Sequence, residues 1–460
     1  MVWFDALGEM PRICRREGLS LGTLSRARAF AALGISGAGR PMSPVSRANA
    51  WANGPRVSSR TFWSQPASQR ASTFEELRQT APVSLQAPPD FGMGEASRGF
   101  WAITRHADVM SVSRNPDLFC SGKGIGMGDT PADVLELTAA LPLMDPPRLT
   151  TVRRVVSGAF TPKRVAQLKR RIDAQAARIV DEFVERGEGD VVQEFSRKLP
   201  IWTISEMLGI PESMRDQLSS VAEVLFAAED HDSEVRTDNG GTAALKAGMD
   251  LHRMARALIK DRRSHPGDDI FSALVHSDFD EEPLSDQILR NIFSLFITAG
   301  NDTTKNTTTH AFRLFSENPD QWLHLVSNRD ALGSAIEEMI RCATPVIRFG
   351  RTATTDTVFG GVDIAEGDAV VMYYESANRD ESVFHDPENF DITRSPNPHV
   401  GFGGGGPHFC LGAHLARLEL NALFARLAER VTAIETGEPS YIVSDFFNGI
   451  KVMPARVVAR

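Results

Sequence analysis

The hydrophobic pattern is densest within residues 286–309, where Ile292-Phe293-Ser294-Leu295-Phe296-Ile297 is apolar on all faces. Such a run predicts a helix through the middle of a large protein, with no side turned to water. Directly behind it stand Ala299-Gly300-Asn301-Asp302-Thr303-Thr304. Polar side chains following a buried run are costly unless they are paired or do work. Residues 164–265 read as long helices, broken at Gly209-Ile210-Pro211 and by the polar run from Glu229 to Gly241. Asp230-His231-Asp232 in that run have the residue types of metal ligands, but in an acidic, turn-rich insert they are expected to be solvated. Ala335 to Arg341 is a further amphipathic helix, with Glu338 and Arg341 on one face. Period-two alternation in Arg351 to Val358 and Asp368 to Tyr374, divided by Gly360-Gly361 and Gly367, predicts antiparallel hairpins. Tyr441 to Val452, turning at Asn448-Gly449, predicts one more. Near the start, Ser72 to Thr80 is amphipathic, a helix ends before Pro116, and Ser121 to Asp129 has the low periodicity of a loop.

Composition adds limits. With 42% hydrophobic and 24% charged residues over 460 positions, the chain is ordinary for a globular protein able to bury a core. A net charge of −9 argues against nucleic acid as a partner. Cys14, Cys120, Cys342 and Cys410 show neither C-x-x-C nor paired spacing, so no disulfide framework or zinc site is indicated and a reducing compartment is expected. No run reaches the roughly 18 apolar residues of a membrane span.

The first 70 residues carry ten arginines against Asp5, Glu9 and Glu17, which sets residues 1–60 apart as an Arg- and Ser-rich leader. Three readings stay open there: a transit-like leader, an export signal with Arg15-Arg16 ahead of a weakly apolar stretch, or upstream sequence read as protein, with Met42 the start. Simple disorder or the last of these is expected.

One stretch concentrates candidate chemistry: Gly401-Phe402-Gly403-Gly404-Gly405-Gly406-Pro407-His408-Phe409-Cys410-Leu411-Gly412. After it, Leu411, Leu415, Leu418 and Ala422 recur at helical spacing, so Cys410 stands at the mouth of a helix. Free N–H groups and the positive end of the helix dipole favour a thiolate there. The glycines remove side chains, so that a large flat group can lie against the backbone. A lone cysteine is more often a small buried hydrophobe. Gly401, Gly403 and Gly406 also satisfy G-x-G-x-x-G, but a loop precedes them where a dinucleotide site needs a strand.

Taken together, these residues resemble the haem-binding signature of the cytochrome P450 family, in which His408, Cys410, Leu411, Gly412, Leu415, Ala416 and Arg417 match in place. One departure is that Gly403 stands seven residues before the cysteine, where the family pattern has Phe, and Phe402 stands eight before. Ala299-Gly300-Asn301-Asp302-Thr303-Thr304 resembles the family's Ala-Gly-x-Asp/Glu-Thr-Thr, and Glu338, Arg341 and Arg394 match its Glu-x-x-Arg and Phe-Asp-x-x-Arg segments. The resemblance covers residues 61–460 and implies a mainly α fold with smaller antiparallel β-sheets, in one haem domain.

It further implies haem b, iron protoporphyrin IX, with Cys410 as the axial ligand and a site framed by Phe402, Gly403, Gly412 and His408. Arg153 and Arg351 match propionate arginines; Leu149 stands where many relatives have a second donor, a histidine. Ala299 and Gly300 would make room for dioxygen, Thr303 would hydrogen-bond it, and Asp302 would supply protons. Glu338, Arg341 and Arg394 would hold the cysteine loop without doing chemistry. Hydroxylation of a C–H bond in a small hydrophobic substrate is the implied reaction. Electrons would come from a ferredoxin and its reductase, in the cytoplasm. The glycine-rich loop, Asn397-Pro398-His399-Val400 and Asn448-Gly449-Ile450-Lys451 also look like enzymes acting on sterol side chains, terpenoids or methyl-branched fatty acids. Two readings from other classes remain: a haem-thiolate sensor or carrier, and a nucleotide-dependent dehydrogenase.

Overall fold

The apolar run at 292–297 lies in the longest helix of a computed structural model that describes residues 55–90, 99–128, 135, 140–159, 161–237, 242–279 and 282–460. The leader reading, up to residue 54, lies outside the described residues. In residues 55–60, Val57 and Ser58 are buried, and Val57 O accepts a bond from Trp63 Nε1 at 3.1 Å. The described residues all belong to one unit, Pro41–Arg460.

The helices used below are α1 (Ala67–Thr80), α2 (His106–Ser113), α3 (Arg148–Gly158), α4 (Pro162–Arg186), α5 (Lys198–Met207), α6 (Glu212–Ala227), α7 (Thr242–Ser264), α8 (Asp286–Glu317), α9 (Leu332–Ala343) and α10 (Ala413–Arg430). Ser285 starts α8, its hydroxyl accepting from Ile288 N at 3.3 Å, which satisfies one of the free N–H groups of the first turn. α8 is then shared between two cores. Leu289, Ile292, Phe293 and Ile297 join Ile204, Leu218, Leu251 and Leu258 of α5 to α7, whereas Phe312 and Phe315 join Phe183, Phe195, Leu423 and Phe424 around α4 and α10. The polar stretch of α8 lies between these two apolar segments.

The main sheet has the order β1 (Val83–Gln86), β2 (Phe100–Ile103), β6 (Ala369–Tyr373), β5 (Arg348–Ala353), β3 (Phe119–Cys120). Val370 faces Arg351 and Met372 faces Phe349 across the antiparallel β5–β6 pair, as the alternation predicts. The β6–β2 pair, by contrast, is parallel. β4 (Glu188–Asp190), β7 (Val431–Thr436) and β10 (Pro454–Ala459) form a smaller antiparallel sheet.

Two expectations are corrected. Asn448-Gly449 is not the tip of its hairpin: β8 (Ser440–Tyr441) and β9 (Ile450–Val452) flank a wider loop, with Ile442 N donating to Gly449 O at 3.0 Å. Asn448 is committed elsewhere, its Nδ2 donating to Ala343 O at 2.7 Å and its N to Pro345 O at 3.1 Å. Nor is Asp230-His231-Asp232 solvated throughout. Asp230 and His231 are buried; Asp230 Oδ2 accepts from Lys451 Nζ at 2.8 Å, and His231 Nε2 lies 2.9 Å from Asp445 Oδ1. Asp445 is also held by Arg348, while Asp232 stays exposed and pairs with Arg60. The partners that make burial tolerable lie in the C-terminal hairpin and in β5, far away in the sequence.

Candidate active site

The cysteine loop closes on itself before it meets the rest of the protein. Cys410 N donates to Phe402 O at 3.0 Å, and α10 begins at Ala413 with Gly412 as its cap. The cysteine is exposed, but to an internal chamber whose wall it helps to form. Burial raises its thiol above the ordinary range, opposed by the Gly412 N–H and then by Arg153 and Arg417. The glycines divide into two sets. Gly401, Gly403 and Gly412 line the chamber, where a flat group needs them bare. Gly406, at φ +73°, instead lets the loop dock on the end of α2, where a Cβ would lie 2.4 Å from Ser113 O.

Behind the loop, a buried carboxylate is fully answered. Glu338 and Arg341 are both 0% exposed, with Arg341 Nε and Nη2 donating to the two carboxylate oxygens at 2.8 and 2.7 Å. Arg394 Nε bridges both oxygens at 3.2 Å, and Asp391 N and Asn397 Nδ2 each add a bond at 3.0 Å. Burial alone would raise the Glu338 carboxyl, yet Arg341, the Asp391 N–H and Arg394 hold it below its ordinary value. Closer to the loop, Arg417 lies 4.5 Å over the Phe402 ring and clasps Glu337 at 2.6 and 2.7 Å. The α9 carboxylates thus grip the loop on both sides of the cysteine.

The chamber holds about 1550 Å³ of atom-free space, its opening to solvent included. α8 supplies Leu295, Phe296, Ala299, Gly300, Thr303 and Thr304 to its wall, and Val346, Phe349 and Tyr374 face it from β5 and its flanks. Gly300 also permits the close approach of α5, since a Cβ there would stand 2.5 Å from Ile204 Cδ1. Thr303 Oγ1 donates to Ala299 O at 2.9 Å, the same backward bond that Thr307 makes to Thr303 O. A helix-bonded threonine is therefore the arrangement at Thr303 as well. Asp302 does not line the chamber: it is 3% exposed and accepts from Lys305 Nζ at 2.8 Å.

Part of the wall is cationic. Arg153 and Arg351 line the chamber with His408. Arg153 Nη2 donates to Phe409 O at 2.8 Å, Arg351 Nη1 to Gly350 O at 2.7 Å, and His408 Nε2 lies 3.0 Å from Ser121 Oγ. Among the described residues neither arginine has a carboxylate within ion-pair distance, although Arg351 is only 4% exposed. Burial lowers the pKa of each guanidinium, and burial with Arg351 and Arg153 pushes His408 down to about 3. Arg154, by contrast, is exposed, and Leu149 is buried apolar core. A thiol, bare glycines and two unpaired guanidiniums around one cavity fit a flat, anionic, metal-holding group.

Sequence reasoning missed Glu419. It is 2% exposed, lines the chamber from α10, and is raised to about 8 by burial, which Thr203 and Thr304 beside it only partly oppose. The available signal was an acid four residues after Leu415 in an otherwise apolar stripe.

A predominantly helical protein with a buried chamber over one glycine-framed cysteine is the class these features define. A family model described as Cytochrome P450 matches residues 241–433. The chain is 36% identical over 425 residues to the methyl-branched lipid omega-hydroxylase of Mycobacterium tuberculosis, spanning 91% of this chain and 97% of that one. It is 37% identical over 382 residues to the steroid C26-monooxygenase of Mycolicibacterium smegmatis, 82% of this chain and 88% of that one. Its structure resembles that of a Mycobacterium marinum cytochrome P450 in complex with pseudoionone, with a TM-score of 0.83 and 42% identity, over 88% and 98% of the two chains. The chain belongs to the cytochrome P450 family. It is a haem-thiolate monooxygenase, an oxidoreductase of hydrophobic substrates. Among the described residues no helix is long and apolar enough to cross a membrane.

Proposed function

We propose that this enzyme hydroxylates a sterol side chain, a terpenoid or a methyl-branched fatty acid, using haem b and electrons from a ferredoxin and its reductase. The observation that carries the reading is the chamber itself. Leu295, Phe296, Val346 and Phe349 make much of its wall apolar, while its cationic groups are Arg153 and Arg351, on the wall with Cys410. The names of the relatives, a methyl-branched lipid hydroxylase and a steroid monooxygenase, support the substrate class. Three unpaired cysteines among the described residues go with a cytoplasmic setting.

Cys410 would hold the iron, and Arg153 and Arg351 would neutralise the propionates, with His408 neutral beside them. When bound, haem supplies the redox chemistry that splits dioxygen, and thiolate donation favours O–O cleavage in this family. The chain's own part is to exclude water, orient the substrate and manage protons. The aromatic and aliphatic wall does the first two. Thr303 Oγ1, now donating to Ala299 O, would turn that donor into the chamber. Asp302 would take protons from solvent and pass them toward Thr303. Glu338, Arg341 and Arg394 would keep the sulfur in place without touching the reaction.

The test is the absorption spectrum of the dithionite-reduced protein with carbon monoxide, followed by binding of sterols, terpenoids and branched fatty acids. A strongly red-shifted carbonyl band in wild type, lost in Cys410→Ala, is expected, with spectral shifts on adding these lipids. No such band in folded, haem-loaded wild type would overturn the thiolate assignment. A spectrum moved by small aromatics and by none of the three lipid classes would overturn the substrate class.

A further inference from the structure

The two residues assigned to proton handling point to different places. Thr303 lines the chamber, whereas Asp302 is buried away from its wall. Asp302 Oδ1 accepts from Lys305 Nζ at 2.8 Å and from Asn301 Nδ2 at 3.0 Å. Lys305 is itself only 7% exposed, and its ammonium sits 3.4 Å from the centre of the Phe226 ring. An exposed pair at this helical spacing contributes little and needs no explanation. A desolvated one is expensive unless something holds it, and here an aromatic face from α6 caps the cation.

Phe226 is itself fixed from outside α8. It packs on Phe447, ring centres 6.0 Å apart. The chain just beyond α6 is tied down at Asp230, through Lys451 and Val443 N, and at His231, through Asp445. The lid over the Lys305–Asp302 pair is therefore anchored to the C-terminal hairpin.

We propose that Lys305 is the positioning residue for Asp302: it holds the carboxylate ionised and turned from the chamber, beneath Phe226, until a proton is required. The idea rests on the reading of Asp302 as the proton carrier. The carboxylate takes a proton from solvent water, gives it toward Thr303 and so returns to the ionised state, and Lys305 stays protonated throughout. The groups that face Asp302 are Lys305 and Asn301 on its own helix and Glu223 on α6. Burial raises the carboxyl, Lys305 and Asn301 oppose that rise, and Glu223 adds to it. Burial still prevails, and Lys305 is the group that most opposes the rise, so its removal raises the proton affinity further.

The experiment compares wild type, Lys305→Met, Lys305→Arg and Asp302→Asn as haem-loaded protein. Infrared difference spectra locate the protonated carbonyl band of Asp302 as the one missing in Asp302→Asn. In Lys305→Met that band should persist about one to three pH units higher than in wild type, and Lys305→Arg should restore the wild-type titration. Lys305→Gln, which keeps a donor and drops the charge, replaces the methionine variant if that one does not fold. A band that titrates identically with and without the Lys305 charge overturns the proposal. Oxygen consumption with a surrogate ferredoxin and reductase, in H2O and D2O, tests the underlying reading separately. If Asp302→Asn leaves both the rate and its slowing in D2O unchanged, Asp302 is not the carrier. If it abolishes them while Lys305→Met still titrates as wild type, the carrier stands and only the positioning role falls.

Discussion

Two arginine clusters flank the cysteine loop, with opposite accounts of their hydrogen bonds. At α9, Glu338 is surrounded by Arg341, Arg394, Asn397 and the Asp391 N–H, so that the acid is answered inside the protein. On the chamber wall, buried Arg351 and half-buried Arg153 carry charge that only carbonyl oxygens answer. Burial by itself therefore does not separate structural from functional charge. A cluster that is closed among its own members supports the fold, and one left open awaits a ligand.

The contrast is sharpest if each cluster loses one guanidinium. Arg341→Met should destabilise the protein by about 3–5 kcal/mol, since buried Glu338 would lose its two-bond partner and keep only the longer contacts to Arg394 beside Asn397 and the Asp391 N–H. Denaturation of haem-loaded protein measures it, and a loss below about 1 kcal/mol would mean that the cluster is not closed as described. Arg351→Met should leave the haem-free protein as stable as wild type while weakening haem about tenfold to a hundredfold, the worth of one charged hydrogen bond of about 1.5–3 kcal/mol. Haem transfer to an apo-globin reads this. Equal effects of the two variants on haem-free stability would erase the distinction.

The smallest effect belongs to the Glu337 clasp, which is part-exposed. Burial would raise Glu337, but Arg417 and His399 hold it down to about 2, from an ordinary value of 4.5. A carboxyl lowered on folding stabilises fully above its unfolded pKa and loses that contribution as pH falls through the folded one. Glu337→Gln should thus cost about 1 kcal/mol at neutral pH, and the gap to wild type should close between pH 4.5 and about 2. A gap that stays constant over that range would place the carboxylate's contribution elsewhere.

Much of this was legible in advance because the signals are local. The apolar run at 292–297 became the core of α8, the alternation around Arg351 and Val370 became β5 and β6, and the spacing of Gly412 and Leu415 placed a helix directly behind Cys410. The open cluster was legible only as resemblance: Arg153 and Arg351 meet in space with nothing in their local sequence to announce it. Glu419 was missed because a carboxyl in an apolar stripe looks like noise until Thr203 and Thr304 are seen beside it.

The sequence alone determined that helices form around 72–80, 286–309 and 335–341, and that one cysteine stands at a glycine-bared helix mouth. Periodicity, capping and turn chemistry act over a few residues, so they survive without coordinates. Only the tertiary structure decided the state of the charges. Asp230 and His231 are buried because Lys451 and Asp445 come to them, half the loop's glycines serve α2 rather than the chamber, and Asp302 faces Lys305 under Phe226 instead of the cavity. The cost of burying a charge depends on what stands within a few ångströms of it, and that neighbourhood is assembled from segments hundreds of residues apart.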